Sequence, residues 1–297
     1  TYLITVPTAL SALMQRKIDA DISALPGAGE SAVVEDRLPR IGADPAPAPE
    51  PGPEPGPEPS GDGAADPAAA PADDRPLARN ARPFENPAEK PLFTVILIDN
   101  GDPALDRAAL ADLPFPVSFA LDPLSPEAAA QAQIYRDAGQ EVLMLATGLP
   151  QGAQASDVEV AFQAMFQALP QAVAVMAPQQ GGFQGDRPTA TLVVPVVGAE
   201  GLGLVTWDQG LNAADQVARR EDVPAAVAFR ALDTEGEAAP VIRRYLDRAA
   251  FKAAQEGRVT VVGTTRPETV AALLEWSVEG RAATVALAPV SAVLTLD

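Results

Sequence analysis

From Phe84 onward, short uninterrupted apolar runs alternate with longer stretches whose apolar residues recur every three or four positions. The runs are LFTVILID (Leu92 to Asp99), PVSFALD (Pro116 to Asp122), EVLMLAT (Glu141 to Thr147), AVAVMA (Ala172 to Ala177), GLVTWD (Gly203 to Asp208), AAVAFRAL (Ala225 to Leu232), VTVVG (Val259 to Gly263) and TVALAPV (Thr284 to Val290). A strand apolar on both faces must be covered on both, as in a parallel sheet. Strands alternating with helices over residues 84–297 therefore predict an α/β layered or barrel domain with one core.

The helices carry readable ends. Ser125 with Pro126 predicts a helix start, with a stop near Gly139. Ser156 and Glu159 form a capping box before the stripe Val158, Phe162, Met165, Phe166 and Leu169, which Pro170 ends. Thr265 and Glu268 repeat the pattern before Val270, Leu273 and Leu274. Between Pro240 and Gly257, Ile242, Tyr245, Leu246, Ala249 and Ala253 make one stripe. Tyr245 and Trp276 lie on helical patterns and are expected to pack.

Upstream the chain is different. Residues 43–83 include a Pro-Gly-Pro-Glu repeat; Pro removes backbone donors, Glu repels Glu, and little is apolar, so an extended, disordered acidic Pro-rich linker is expected. Residues 1–42 are expected to be weakly structured. Their apolar start, TYLITVPTALSALM, is interrupted by Pro7 and is short for a bilayer span; it is either the remnant of a signal or anchor segment or a frayed end.

Lys plus Arg number 21 against 40 Asp plus Glu, a net charge of −19 that disfavours nucleic acid or an anionic membrane surface. With neither Cys nor His, thiolate and imidazole metal sites and every Ser/His or Cys/His nucleophile arrangement are excluded. Carboxylates, Lys, Tyr, hydroxyls and backbone groups remain for chemistry. AEGLGL (Ala199 to Leu204) lacks the Lys and the Gly spacing of a nucleotide loop.

The order of the motifs resembles the divergent polysaccharide deacetylase family. LIDNGD places Asp99 and Asn100 on the family's Asp-Asp pair, and Pro123, Ser125 and Pro126 follow the next strand. GQEVLMLATGLP keeps Gly139, Glu141, Val142, Leu143, Leu149 and Pro150 of a Gly-His-Glu-Val-Leu stretch, but puts Gln140 and Leu145 at its two His positions. APQQGG places Gln179 where another His would stand, TWDQ retains Asp208, and VGTTRPETV keeps Gly263 and Pro267 but puts Thr264 and Arg266 at two further His positions.

The resemblance implies a distorted (β/α) barrel, a divalent metal such as zinc held by an Asp and two His, and hydrolysis of N-acetyl groups. Here the corresponding ligands are Asn100, Gln140 and Leu145; amide oxygens bind hard ions weakly and Leu binds none, so no cofactor is expected. Asp99 then stands as a vestigial base. Three readings of Asp99 and Asp208 stay open. They cap helices or pair with Arg266 or Arg230; they line a cleft and accept hydrogen bonds from sugar hydroxyls; or, with Asp102, they rebuild a Mg²⁺ or Ca²⁺ site.

Trp207, Asp208, Gln140, Gln179 and Arg266 are the candidate substrate-binding residues, under a loop at residues 181–192 that offers Arg187. The leading expectation is an inactive member of the family in the bacterial periplasm or envelope, binding a glycan or an envelope protein and reaching the membrane only through an N-terminal anchor. The alternatives are a deacetylase with a carboxylate-built metal site and a structural docking protein. A glycan binder needs an open polar cleft near Asp99, Trp207 and Asp208, whereas a docking protein tolerates one filled by side chains such as Leu145.

Overall fold

The computed structural model describes residues 73–150, 152–278 and 281–295. The segment at 1–42 and most of the linker lie outside them. Eight parallel strands follow one another: β1 (Leu92–Asp99), β2 (Ser118–Leu121), β3 (Glu141–Leu145), β4 (Ala174–Met176), β5 (Gly203–Trp207), β6 (Ala225–Ala231), β7 (Arg258–Thr264) and β8 (Ala286–Ala288). Pairing runs in sequence order from β1 through β7 and back to β1, which closes a seven-stranded parallel barrel.

The closure is distorted at β1. One edge pairs with β7 along its length, while the other is shared: Leu92 to Thr94 pair with β8, and Ile96 to Asp99 with β2. The last strand thus fills the gap that the short β2 leaves at the barrel floor.

The helices are α1 (Pro76–Arg79), α2 (Arg107–Ala111), α3 (Ala128–Asp137), α4 (Ala155–Ala168), α5 (Arg187–Ala199), α6 (Ala213–Arg220), α7 (Ala239–Glu256), α8 (Pro267–Ser277) and α9 (Val290–Leu294). Gly257 ends α7 at φ 78°, a left-handed cap that only glycine adopts without strain. Three expected starts move. Ser125 closes a turn on Asp122, and α3 begins at Ala128. The carboxylate of Asp157 accepts from the Gln154 amide, so the box of α4 lies two residues before Ser156. The N-cap of α8 is Arg266 rather than Thr265, which is buried.

Residues 74–83, which composition assigns to the linker, belong to the folded body. Leu77 of α1 enters the core, its amide donates to Gly201 O, and Asn80 donates to the carbonyls of Pro170 and Ala172. The segment expected as a loop at 181–192 turns helical at Arg187, and Phe183 and Gln184 before it are buried.

Alternation along paired strands sorts the side chains. Phe93, Val95, Leu97 and Asp99 share one face of β1, and Phe93 packs on Trp276 of α8 with ring centroids 4.8 Å apart, so this face looks outward to the helices. Ile96, Ile98, Leu143, Leu145, Met176, Val205 and Trp207 look inward by register. At the floor, α9 plugs the barrel: Gly203 faces Leu294 so closely that a Cβ there would lie 2.6 Å from its Cδ1.

Candidate functional site

The C-terminal mouth of a parallel barrel is where loops converge and ligands bind. Here four of the last inward residues of the strands, Ile98, Leu145, Met176 and Trp207, line it with apolar atoms, while β7 ends inward on Thr264. The rim is polar. The Thr147 hydroxyl donates to Asp122 (2.7 Å), Gln179 reaches Thr234 (3.4 Å), and Asp208 and Asn100 are exposed.

Asp99 does not face this mouth. Its carboxylate is buried in the layer between β1, α2 and α3, where Arg107 grips it through two bonds, Nε to Oδ2 at 2.7 Å and Nη2 to Oδ1 at 3.0 Å. The Tyr135 hydroxyl donates to Oδ2 (2.8 Å) and the Gly101 amide to Oδ1 (2.9 Å). Tyr135 is itself stacked on Phe119 of β2 at 3.7 Å and 8°. Burial, then the adjacent Asp99 charge, pushes the Tyr135 phenol well above its usual range. For Arg107, burial opposes the charge, but the hydrogen bonds and charge of Asp99 outweigh it and raise the guanidinium. The partner of Asp99 is therefore Arg107, not Arg266 or Arg230.

The other candidates scatter. Gln140 precedes β3 and sits at the floor end, its amide bonded to Val117 N, Ala111 O and Arg82. Trp207 is 2 % exposed and donates Nε1 to Ala177 O, so its ring belongs to the barrel wall and offers no face to a sugar. Arg266 pairs with Glu268 (3.3 Å), and Arg230 lies over the Tyr245 ring at 3.9 Å. Asp102 caps the Ala104 amide. Among the described residues no three of His, Cys, Asp and Glu come together to hold a metal, and the grouping of Asp99, Asp102 and Asp208 is not formed. The residues present do not fit the family's ion.

The buried roles of two carboxylates escaped sequence reasoning. Asp233, after β6, is buried and forms no ion pair among the described residues; it accepts from the Thr264 amide, the Thr264 hydroxyl (2.6 Å) and Thr269. Glu141, at the floor, accepts from the Arg82 amide (2.9 Å), the Ser118 hydroxyl (3.4 Å) and both the amide and hydroxyl of Ser291. It ties the chain entering the barrel to the plug that closes it. The signal for Tyr135 was present: Ala128, Gln131, Ala132 and Tyr135 form one helical stripe, and a polar residue on such a stripe needs a buried partner.

Comparison with known proteins agrees with this architecture. No curated protein matches the sequence. Among solved structures, an uncharacterized protein from Agrobacterium tumefaciens C58 superposes with a TM-score of 0.62 at 22% identity, covering 73% of this chain and 94% of that one. A putative cellobiose-phosphate cleavage protein from Enterococcus faecalis V583 gives 0.50 at 13% identity, over 68% and 98%. Both likenesses concern the fold. The model of one family, divergent polysaccharide deacetylase, matches residues 95–294, and the chain belongs to that family.

Proposed function

We propose that this protein is a non-hydrolytic member of its family that serves as a docking protein of the bacterial envelope. The observation that carries the reading is the state of Asp99: both oxygens are engaged by Arg107, Tyr135 and Gly101, on the face of β1 away from the mouth. A general base must be within reach of the proton it takes, and a metal hydrolase needs a ligand set that holds its ion open to substrate. Leu145, standing where the resemblance places a metal-binding His, makes part of the apolar lining of the mouth instead. That largely apolar lining of the mouth, with Trp207 buried, favours protein docking over glycan binding. The acidic Pro-rich composition of residues 43–72 suits a tethered protein.

The test uses untagged protein, because a His tag would supply the ligands that the chain lacks. N-acetylglucosamine oligomers are incubated with it and with Zn²⁺, Co²⁺ or Mg²⁺, and released acetate is measured alongside bound metal by elemental mass spectrometry. No acetate above the protein-free control is expected. Acetate release that Asp99→Asn abolishes would overturn the proposal.

A further inference from the structure

Beside the mouth, and sharing Asn100 and Thr264 with its rim, a trough of about 730 Å³ runs between α2 and α8. Its walls are Leu105, Ala109 and Leu110 on one side and Val270, Ala271 and Leu274 on the other. The α8 wall follows helical spacing: Pro267, Val270, Ala271 and Leu274 stand at i, i+3, i+4 and i+7. The helix already buries a separate stripe, Thr269, Ala272, Leu273 and Trp276, against the barrel. It thus carries two apolar stripes; on the second, Val270 is partly packed against the core, while Ala271 and Leu274 stand exposed, Leu274 at 39%. The trough meets the mouth at Asn100, Thr264 and Arg266, but none of the residues that hold Asp99, which are Arg107, Tyr135 and Gly101, lines it.

Its rim decides what kind of partner fits. Asp102 and Asp106 are both exposed on the α2 side, while the one cation in the lining, Arg266, is paired with Glu268. The small Ala109 and Ala271 allow close approach of a backbone. We propose that the trough is a docking site for a basic amphipathic helix of a partner protein, its apolar row lying on Leu105, Val270, Ala271 and Leu274 and its Lys or Arg residues meeting Asp102 and Asp106. Apolar anchors at helical spacing give such grooves their affinity, and opposite charge on the rim gives rate and specificity.

The inference rests on the docking reading, but the two are tested separately. The probe is a fluorescein-labelled Leu/Lys amphipathic helix of about 18 residues, long enough to hold helical structure on a surface, with a Leu/Glu peptide of the same apolar pattern as control. Fluorescence anisotropy is read at roughly 50 and 300 mM salt to vary charge screening. Because the whole chain is acidic, a cationic peptide will be attracted everywhere, so the variants are matched in charge. Leu274→Arg and, as a second groove variant, Ala271→Arg place the cation in the trough; Phe251→Arg places it on an exposed site of α7 that does not line it.

The expected result is a Kd raised at least about tenfold by each groove variant, the loss typical of a central anchor, and little changed by Phe251→Arg. Asp106 caps α2 by accepting from the Ala109 amide; in Asp102→Asn with Asp106→Ser, whose hydroxyl keeps that cap, the salt dependence should shrink while low-salt binding weakens less than in Leu274→Arg. Equal effects of all three Arg variants, or no saturable binding of the Leu/Lys peptide, would overturn the proposal. Acetate release together with groove-dependent peptide binding would overturn the docking reading of the mouth and leave this site standing.

Discussion

Replacing Arg107 by Met removes the cation that faces Asp99 while keeping a long, flexible apolar side chain in the layer between α2 and the barrel. The side chains of the pair are 9% and 0% exposed, so water reaches neither freely and the carboxylate cannot be rescued by solvent. The Tyr135 hydroxyl and the Gly101 amide would remain as its donors. Breaking one partner of a buried pair costs about 3–5 kcal/mol, because the surviving charge stays desolvated. For a body of this size, about 1 kcal/mol shifts Tm by roughly 2–4 °C, so Arg107→Met is expected to melt about 6–20 °C lower. Adding Asp99→Asn keeps an acceptor for Tyr135 and Gly101 but removes the charge, and should recover about 2 kcal/mol or more of that loss, a coupling a double-mutant cycle resolves. Urea unfolding of the wild type, both single variants and the double variant, followed by circular dichroism, measures it. Single effects that simply add, or an Arg107→Met cost below about 1 kcal/mol, would refute the claim that the pair is a desolvated unit.

The neighbouring phenol makes an alkaline test. The folded state holds the Tyr135 proton more tightly than the unfolded chain, whose phenol titrates at its ordinary value near 10.0, so the associated stability is complete below pH 10 and falls as pH rises beyond it. Tyr135→Phe should cost about 1.5–3 kcal/mol at neutral pH through the lost hydrogen bond to a carboxylate. Its deficit against wild type should shrink above pH 10 by up to roughly 1.4 kcal/mol per pH unit, with Tyr2 and Tyr245 common to both proteins; a constant deficit across that range contradicts the assignment. At the floor, Glu141→Leu strips the acceptor from Arg82 N, the Ser118 hydroxyl and Ser291 together. It is expected to cost about 3–5 kcal/mol and to abolish hydrogen-exchange protection of α9 and of residues 76–82 in concert; loss of protection in only one of the two segments would show that the carboxylate does not join them.

The strands and the barrel class were legible because continuous apolar runs bounded by capped helices admit few arrangements, and each run such as LFTVILID became a strand within a residue or two of its expected span. Helix starts were less legible. A capping box is a pattern of residue types, and Gln154 with Asp157 serves α4 where Ser156 with Glu159 fits the same pattern. Leu77 was hidden in a stretch of linker-like composition, since one buried leucine adds little to an average but settles whether a segment docks.

The candidate site divides the same way. Sequence by itself determined what chemistry is absent: without His or Cys, no imidazole or thiolate stands at the barrel mouth, and Leu145 can hold no ion. It also placed Asp99 at the end of β1. Which side of the strand that carboxylate faces depends on register with β2 and β7, and a shift of one residue would send it to the opposite face. Only the tertiary structure decided that it meets Arg107 and Tyr135, contributed by two helices that the chain folds back onto the outer face of β1. Pairing of buried groups from distant segments is set by packing in three dimensions, whereas the types of group available are set residue by residue along the chain.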